Sequence, residues 1–422
     1  MTAPDRSPSS AAPPMTSRIV GVDLARFVAI VGMMAAHLIV PLGSDASAST
    51  IDRLLGKLVG ATVSSTSATT FAVLGGVSLV LLTRSMRDTS TRRMLLRIAV
   101  RGILISLIGT LLLPLDGPIS VVLTFYGVAM IIAAPALLLP SWAVATIAGA
   151  LWMFGGALNA HLRATLAATP QLPATDPAVA AARGLRDLLI TGHYPAITWV
   201  AYMLAGILIA RLLLKARADG TLRSVCTRLA VAGLAVYLLV TVGGRIVRMR
   251  PGWFGLPDVG ERMLSSGFGA PLGADLWMLL VPTPHSGNPA DMLRTIAGAC
   301  FVIGLLVAVF DTRPHRLRFV WESIRAAGAA PLTIYTTHVV ATAALYHLAV
   351  QAAVDTVSPS LPWYGRGTAI FLVQLAAVLL IGVVLAALRR RGPLEAMLAW
   401  LSGAGGSRRS ALPDAEVAAA RR

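Results

Sequence analysis

The sequence predicts an all-α, polytopic membrane bundle of about ten spans, and three observations predict it. Of the 422 residues, 56% are hydrophobic and only 13% are charged, whereas a soluble domain carries about 25% charged residues. Apolar runs of about 20 residues, the length a helix needs to cross hydrocarbon, recur along the chain. The arginines gather in segments between alternate runs, as they do in loops on one side of a membrane. A net charge of +17 would point to nucleic acid in a soluble protein. Here its placement assigns it to topology and anionic lipid headgroups, and no nucleic-acid partner is expected.

Taken in order, the spans cover about 19–42, 58–82, 95–113, 119–139, 141–160, 194–214, 225–243, 293–310, 331–353 and 367–388. The third and fifth are the weakest, because Pro114 and Pro140 cut them close to their neighbours. The fourth and tenth contain no charged residue. Arginines follow the second span (Arg84 to Arg101), the sixth (Arg211 to Arg228), the eighth (Arg313 to Arg325) and the tenth (Arg389 to Arg391). With ten spans all four clusters share one side, which makes both termini cytoplasmic. Two longer loops, about 161–193 and 244–292, fall on the other side. Residues 1–17 and 401–422, rich in Ser, Ala, Gly, Pro or Arg, read as disordered cytoplasmic tails around one membrane domain, 18–400. There is no convincing internal repeat, no P-loop and no G-x-S-x-G. Cys226 and Cys300 form no framework and read as packing residues.

The first span carries Asp23, Arg26 and His37 in RIVGVDLARFVAIVGMMAAHLIV. Eleven residues, close to three turns, separate Arg26 from His37, so the two share a face about 16 Å apart along the axis. Asp23 lies three residues before Arg26, on an adjoining part of that face. A charge at the bilayer centre costs roughly 2.5–3.5 kcal/mol on insertion scales. Such residues are therefore expected to face the bundle interior or a wet cavity. Asp23 with Arg26 reads either as an ion pair holding helices together or as an oriented guanidinium for a phosphate or a developing oxyanion. His37 reads as an interfacial histidine or as a general base, since imidazole titrates near neutral pH.

Elsewhere His338 follows PLTIYTT inside the ninth span, with Tyr335 close by. It is either a satisfied core histidine or a second group facing His37. His193 and Tyr194 open the sixth span in GHYP, as a turn or as an acceptor contact. His161, His285, His315 and His347 have no constellation and read as surface or packing residues. None of the seven histidines shows metal-ligand spacing, and no metal is expected. Small residues in LGGVS, 74–78, suit close helix packing. Trp253, Phe254, Phe268 and Trp277 suit an aromatic belt or stacking on sugar faces.

Several segments together resemble one family: GVDLARFVAIVGMMAAH (21–37), FAVLGGVSLVLLTR (71–84), TGHYPAITWVAYMLAGILIAR (191–211), APLTIYTTHVV (330–340) and RRGPLEAML (390–398). They are similar to bacterial membrane proteins of domain-of-unknown-function family 418. That family is related to the catalytic domain of heparan-α-glucosaminide N-acetyltransferase, in the transmembrane acyltransferase superfamily. The resemblance implies transfer of an acyl group, most simply acetyl, from cytoplasmic acyl-CoA to an extracytoplasmic glycan or glycolipid. It implies catalytic roles for His37, Arg26 and Asp23, substrate contacts at His338, Tyr335, His193 and Tyr194, and a multi-pass protein of the cell membrane. The animal branch has asparagine where His37 stands and an acetyl-carrying histidine in the following loop. Residues 38–70 here contain no histidine, so direct transfer is at least as open as an acyl-histidine intermediate. The competing functions are a proton-coupled transporter or flippase using the same polar stripe, and a non-catalytic membrane subunit. Membrane lipids are expected partners, and a homo-oligomer is left open.

Overall fold

The computed structural model describes residues 18–403 apart from 64, 85, 87–88, 168–176, 256–266, 272–275, 313–318 and 358–359. The proposed tails thus lie almost wholly outside the described residues. Among the described residues every regular element is helical: α1 Val20–Leu38, α2 Thr50–Val63, α3 Thr66–Arg84, α4 Thr91–Leu112, α5 Leu123–Ala133, α6 Ser141–Ala167, α7 Pro177–Arg186, α8 Ala196–Ala218, α9 Leu222–Met249, α10 Leu276–Leu280, α11 Pro289–Phe310, α12 Phe319–Gly328, α13 Pro331–Asp355, α14 Thr368–Leu388 and α15 Pro393–Leu401. Nine helical stretches among them are long and apolar enough to cross a membrane. This is the all-α, multi-pass architecture that composition required.

The exception in length is the fourth expected span. It forms only Leu123–Leu138, an α-helix finished by a 3₁₀ turn. The two spans flagged as weak are instead full length, because Pro114 sits in a 3₁₀ turn after α4 and Pro140 immediately precedes α6. Proline is harmless at such positions, where no intrahelical N–H is required of it.

Helix α1 is the hub. It packs on α3, α11, α12, α13 and α14. Helices α3 and α8 are the most enclosed, while α6 and α9 turn most of their apolar surface outward, as lipid-facing helices do. Glycines set the closest crossing. A Cβ on Gly76 would collide with the Met203 carbonyl oxygen, and one on Gly206 with that of Val73. Small residues bring helix backbones together where lipid supplies no hydrophobic drive for association.

Helix starts are closed by side chains from distant sequence. The Asp311 carboxylate accepts the Val20 and Gly21 amides at 2.8 and 2.7 Å, closing α1. Asn288 caps α11 through the Asp291 amide. Glu395, from the GPLE segment, accepts the Leu332 amide at 2.6 Å and the Thr333 hydroxyl at 2.6 Å, closing α13. Each acceptor satisfies donors that a helix start leaves orphaned, and each carboxylate sits at the positive end of a macrodipole.

The α3–α8 crossing yields a direct test. Gly206→Leu should abolish monodisperse protein in detergent size-exclusion chromatography, since overpacking against backbone costs more than the usual ~1–3 kcal/mol. Gly149→Leu, with open space at its Cβ position, should elute normally. Equal behaviour of the two would refute the crossing.

Candidate active site

Two polar clusters lie at opposite ends of α1. At its start, Asp23 is buried and meets three guanidinium groups: Arg18 at 2.6 Å, Arg26 at 2.5 Å and Arg325 of α12 at 3.5 Å. Arg325 also holds Glu322, and those hydrogen bonds keep the Glu322 carboxyl below its usual range. α12 can come this close because Gly328 lies against the Asp23 carbonyl, where a Cβ would not fit. Arg26 donates a second hydrogen bond to Ser78 Oγ at 2.9 Å. The last residue of LGGVS therefore steadies the guanidinium as well as packing α3. Arg101 of α4 stands within electrostatic reach of Arg26, Tyr126, Glu395 and Arg391. Among the described residues, no hydrogen bond or ion pair occupies its guanidinium. This arginine end is a cluster with more positive than negative groups.

At the other end of α1, His37 Nδ1 lies 3.2 Å from Nε2 of His338. His338 Nδ1 lies 2.6 Å from Gln374 Oε1 of α14. Thr342, one turn after His338 and on the same face, receives the Gln374 amide N–H at 3.1 Å. His338, Thr342 and Gln374 are all buried. His285, from the loop before α11, lies within electrostatic reach of His37. Burial holds the His285 imidazole below its ordinary pKa, which favours its neutral form. Behind it, Asp291 pairs with Arg294 at 2.8 Å, and Ser65 bridges them.

The candidate residues are thus distributed in a definite way. Asp23 with Arg26, and His37 with His338, are brought into contact. Arg26 and His37 remain at separate ends of the one helix, with Phe71, Tyr126 and Tyr335 filling the interior as a row of neighbouring rings 5.2 and 6.5 Å apart. The Tyr335 hydroxyl accepts the Val122 amide at 3.1 Å, anchoring the stretch before α5. Tyr194 sets its ring edgewise against Phe125, Trp199 and His285. His193 meets Phe268 edgewise at 5.4 Å. Arg163 fixes this turn by donating to the Ile190 and Gly192 carbonyls. His193 and Phe125 also line an open cavity of about 270 Å³, walled in part by Asp116, Ser120, Val339 and Ala343. Trp253 and Phe254 are exposed, and the Trp277 side chain lies outside the described residues.

Three participants escaped the sequence reading. His285 had no neighbour in sequence to mark it, and the fold alone carries it to His37. In the sequence Arg325 is one of a topogenic arginine cluster, with nothing to mark it as a partner of Asp23. Gln374 did leave a signal: it is the only polar side chain in AIFLVQLAAVLLIGVVLAAL, 369–388. A lone amide in hydrocarbon is costly without a partner.

The Asp23 cluster can be weighed by substitution. Asp23→Ala strands the three arginines and should cost about 3–5 kcal/mol. Glu322→Ala, at a more exposed pair, should cost about 1 kcal/mol or less. Thermal unfolding in detergent reads both, and equal shifts would remove Asp23 from its central position.

Comparison with known protein families gives a match to the model described as heparan-alpha-glucosaminide N-acetyltransferase, catalytic, over residues 18–242. The match covers more than half of the 422 residues. It includes Asp23, Arg26, His37, Ser78, Arg101 and Tyr194, while His285, His338, Gln374 and Glu395 lie beyond it. No curated protein matches the chain.

Proposed function

The chain belongs to the heparan-α-glucosaminide N-acetyltransferase catalytic family and is a multi-pass membrane acetyltransferase, and from that premise we propose that it carries acetyl from cytoplasmic acetyl-CoA to an extracytoplasmic glycan or glycolipid at the cell membrane. The observation that carries this reading is the pair of unlike polar ends on one buried helix. A cationic cluster suits the phosphates of CoA, and a histidine pair suits removal of a proton from an acceptor.

In this scheme both termini and the arginine end are cytoplasmic. Arg26, steadied by Asp23 and Ser78, grips a phosphate through its planar fork, and Arg101 adds a second cation, one without an ion pair among the described residues. The pantetheine arm extends along α1 toward His37, past the rings of Tyr126, Phe71 and Tyr335, which must turn aside. The acceptor enters at the histidine end, beside His193, Tyr194 and the open cavity. His37 takes the proton from the acceptor amine or hydroxyl as that atom attacks the thioester carbonyl. The C–S bond breaks, the new C–N or C–O bond forms, and the CoA thiolate takes the proton from His37. Donor and acceptor meet directly, and no acyl-histidine is required.

Two experiments test it. General-base catalysis typically contributes 10²–10⁴-fold, so His37→Gln should lower acetyl transfer in proteoliposomes by at least 10²-fold while acetyl-CoA binding is kept. Full activity in that variant would reduce His37 to an orienting role. A reporter fused after Arg391 should be active only in its cytoplasmic form. A signal from outside the cell would reverse the orientation and place His37 on the donor side.

A further inference from the structure

The contact between His37 and His338 has one available proton and two possible directions. The ring planes are only 8° apart, with centroids at 5.5 Å. That centroid distance exceeds the 3.2 Å N···N separation by about two ring radii, so the rings meet edge to edge, in line for N–H···N, rather than face to face. Which nitrogen holds the proton is then decided further along. His338 Nδ1 faces Gln374 Oε1 at 2.6 Å. An amide oxygen only accepts, so His338 must carry its proton on Nδ1. In this arrangement the amide nitrogen donates to Thr342 Oγ1 at 3.1 Å, a hydroxyl that can serve as donor or acceptor. With Nδ1 protonated, a neutral His338 has a bare Nε2, which can only accept. His37 must therefore donate from Nδ1, and its own Nε2 is left with a free lone pair.

We propose that Gln374 is a positioning residue which, through His338, selects the tautomer of His37 that leaves Nε2 bare. This deepens the reading of His37 as the base, and it rests on that reading for its catalytic meaning. When His37 takes a proton on Nε2, its Nδ1 proton can shift to His338 Nε2, and the charge then spreads over two rings while Gln374 keeps its hydrogen bond. The groups facing the pair are His338 and Thr342 from α13, Gln374 from α14 and His285 from the loop before α11, with the Asp291–Arg294 pair behind. Among the described residues no carboxylate hydrogen-bonds either ring. The chain of hydrogen bonds alone therefore selects the tautomer.

Ring-¹⁵N-histidine spectra of the full-length protein in lipid nanodiscs read the tautomers directly, with His37→Asn and His338→Asn used for assignment. At a pH where both rings are neutral, His37 and His338 should each carry the proton on Nδ1. Finding it on Nε2 of His338 in the unsubstituted protein overturns the proposal. Gln374→Leu should return one or both rings to the Nε2–H form and lower transfer about 10–100-fold, the range seen when the partner behind a metal-ligating histidine is removed, with the KM for acetyl-CoA unchanged. Gln374→Glu keeps the acceptor and adds a negative charge, which favours imidazolium. It should retain transfer at high pH and move the acid limb of the pH–rate profile to higher pH. An unmoved limb in folded Glu variant counts against the proposal. If the tautomers are as stated but His37→Gln is fully active, the base reading fails while the tautomer assignment stands.

Discussion

The buried carboxylate of Asp23 is the constraint on which the rest of the structure depends. A helix bearing Arg26 inside a membrane requires a counter-charge, and Asp23 supplies it from the preceding turn. The same carboxylate reaches Arg325 and so draws α12 onto α1. Because only two residues separate α12 from α13, this contact also bears on the depth at which α13 enters the bundle. That depth brings His338 level with His37.

Caps at helix starts complete the placement. Glu395 closes α13 and Asp311 closes α1, each from an element far away in sequence. In lipid these contacts replace the water that would otherwise satisfy the end groups. The Gly367 amide donates to the Leu38 carbonyl at 3.0 Å, tying the end of α1 to the start of α14, the helix that carries Gln374. All three helices behind the His37–His338–Gln374 chain are therefore pinned at an end, and short hydrogen bonds between rings and amide can form without loose backbone.

Between the two ends the interior is apolar and aromatic. Met34, Leu74 and Tyr335 are fully buried there. The arginines and the histidines are thus set apart by packed side chains, with no direct contact between the two groups among the described residues.

The sequence by itself determined the helical class, the approximate place of each span and the presence of ionisable groups on one face of the first. Those properties follow from hydropathy and from the 3.6-residue period, which are local. It also marked Asp23 with Arg26, since residues three apart on a helix must be neighbours. It was less informative on the length of the fourth span, where an apolar run continues through loop and 3₁₀ turn. Only the tertiary structure decided that His37 meets His338, that Gln374 lies behind both, that His285 joins them and that Arg325 completes the Asp23 cluster. Those partners are separated by up to 302 residues. No local period records such a pairing, because it arises from the depth and angle at which whole helices pack.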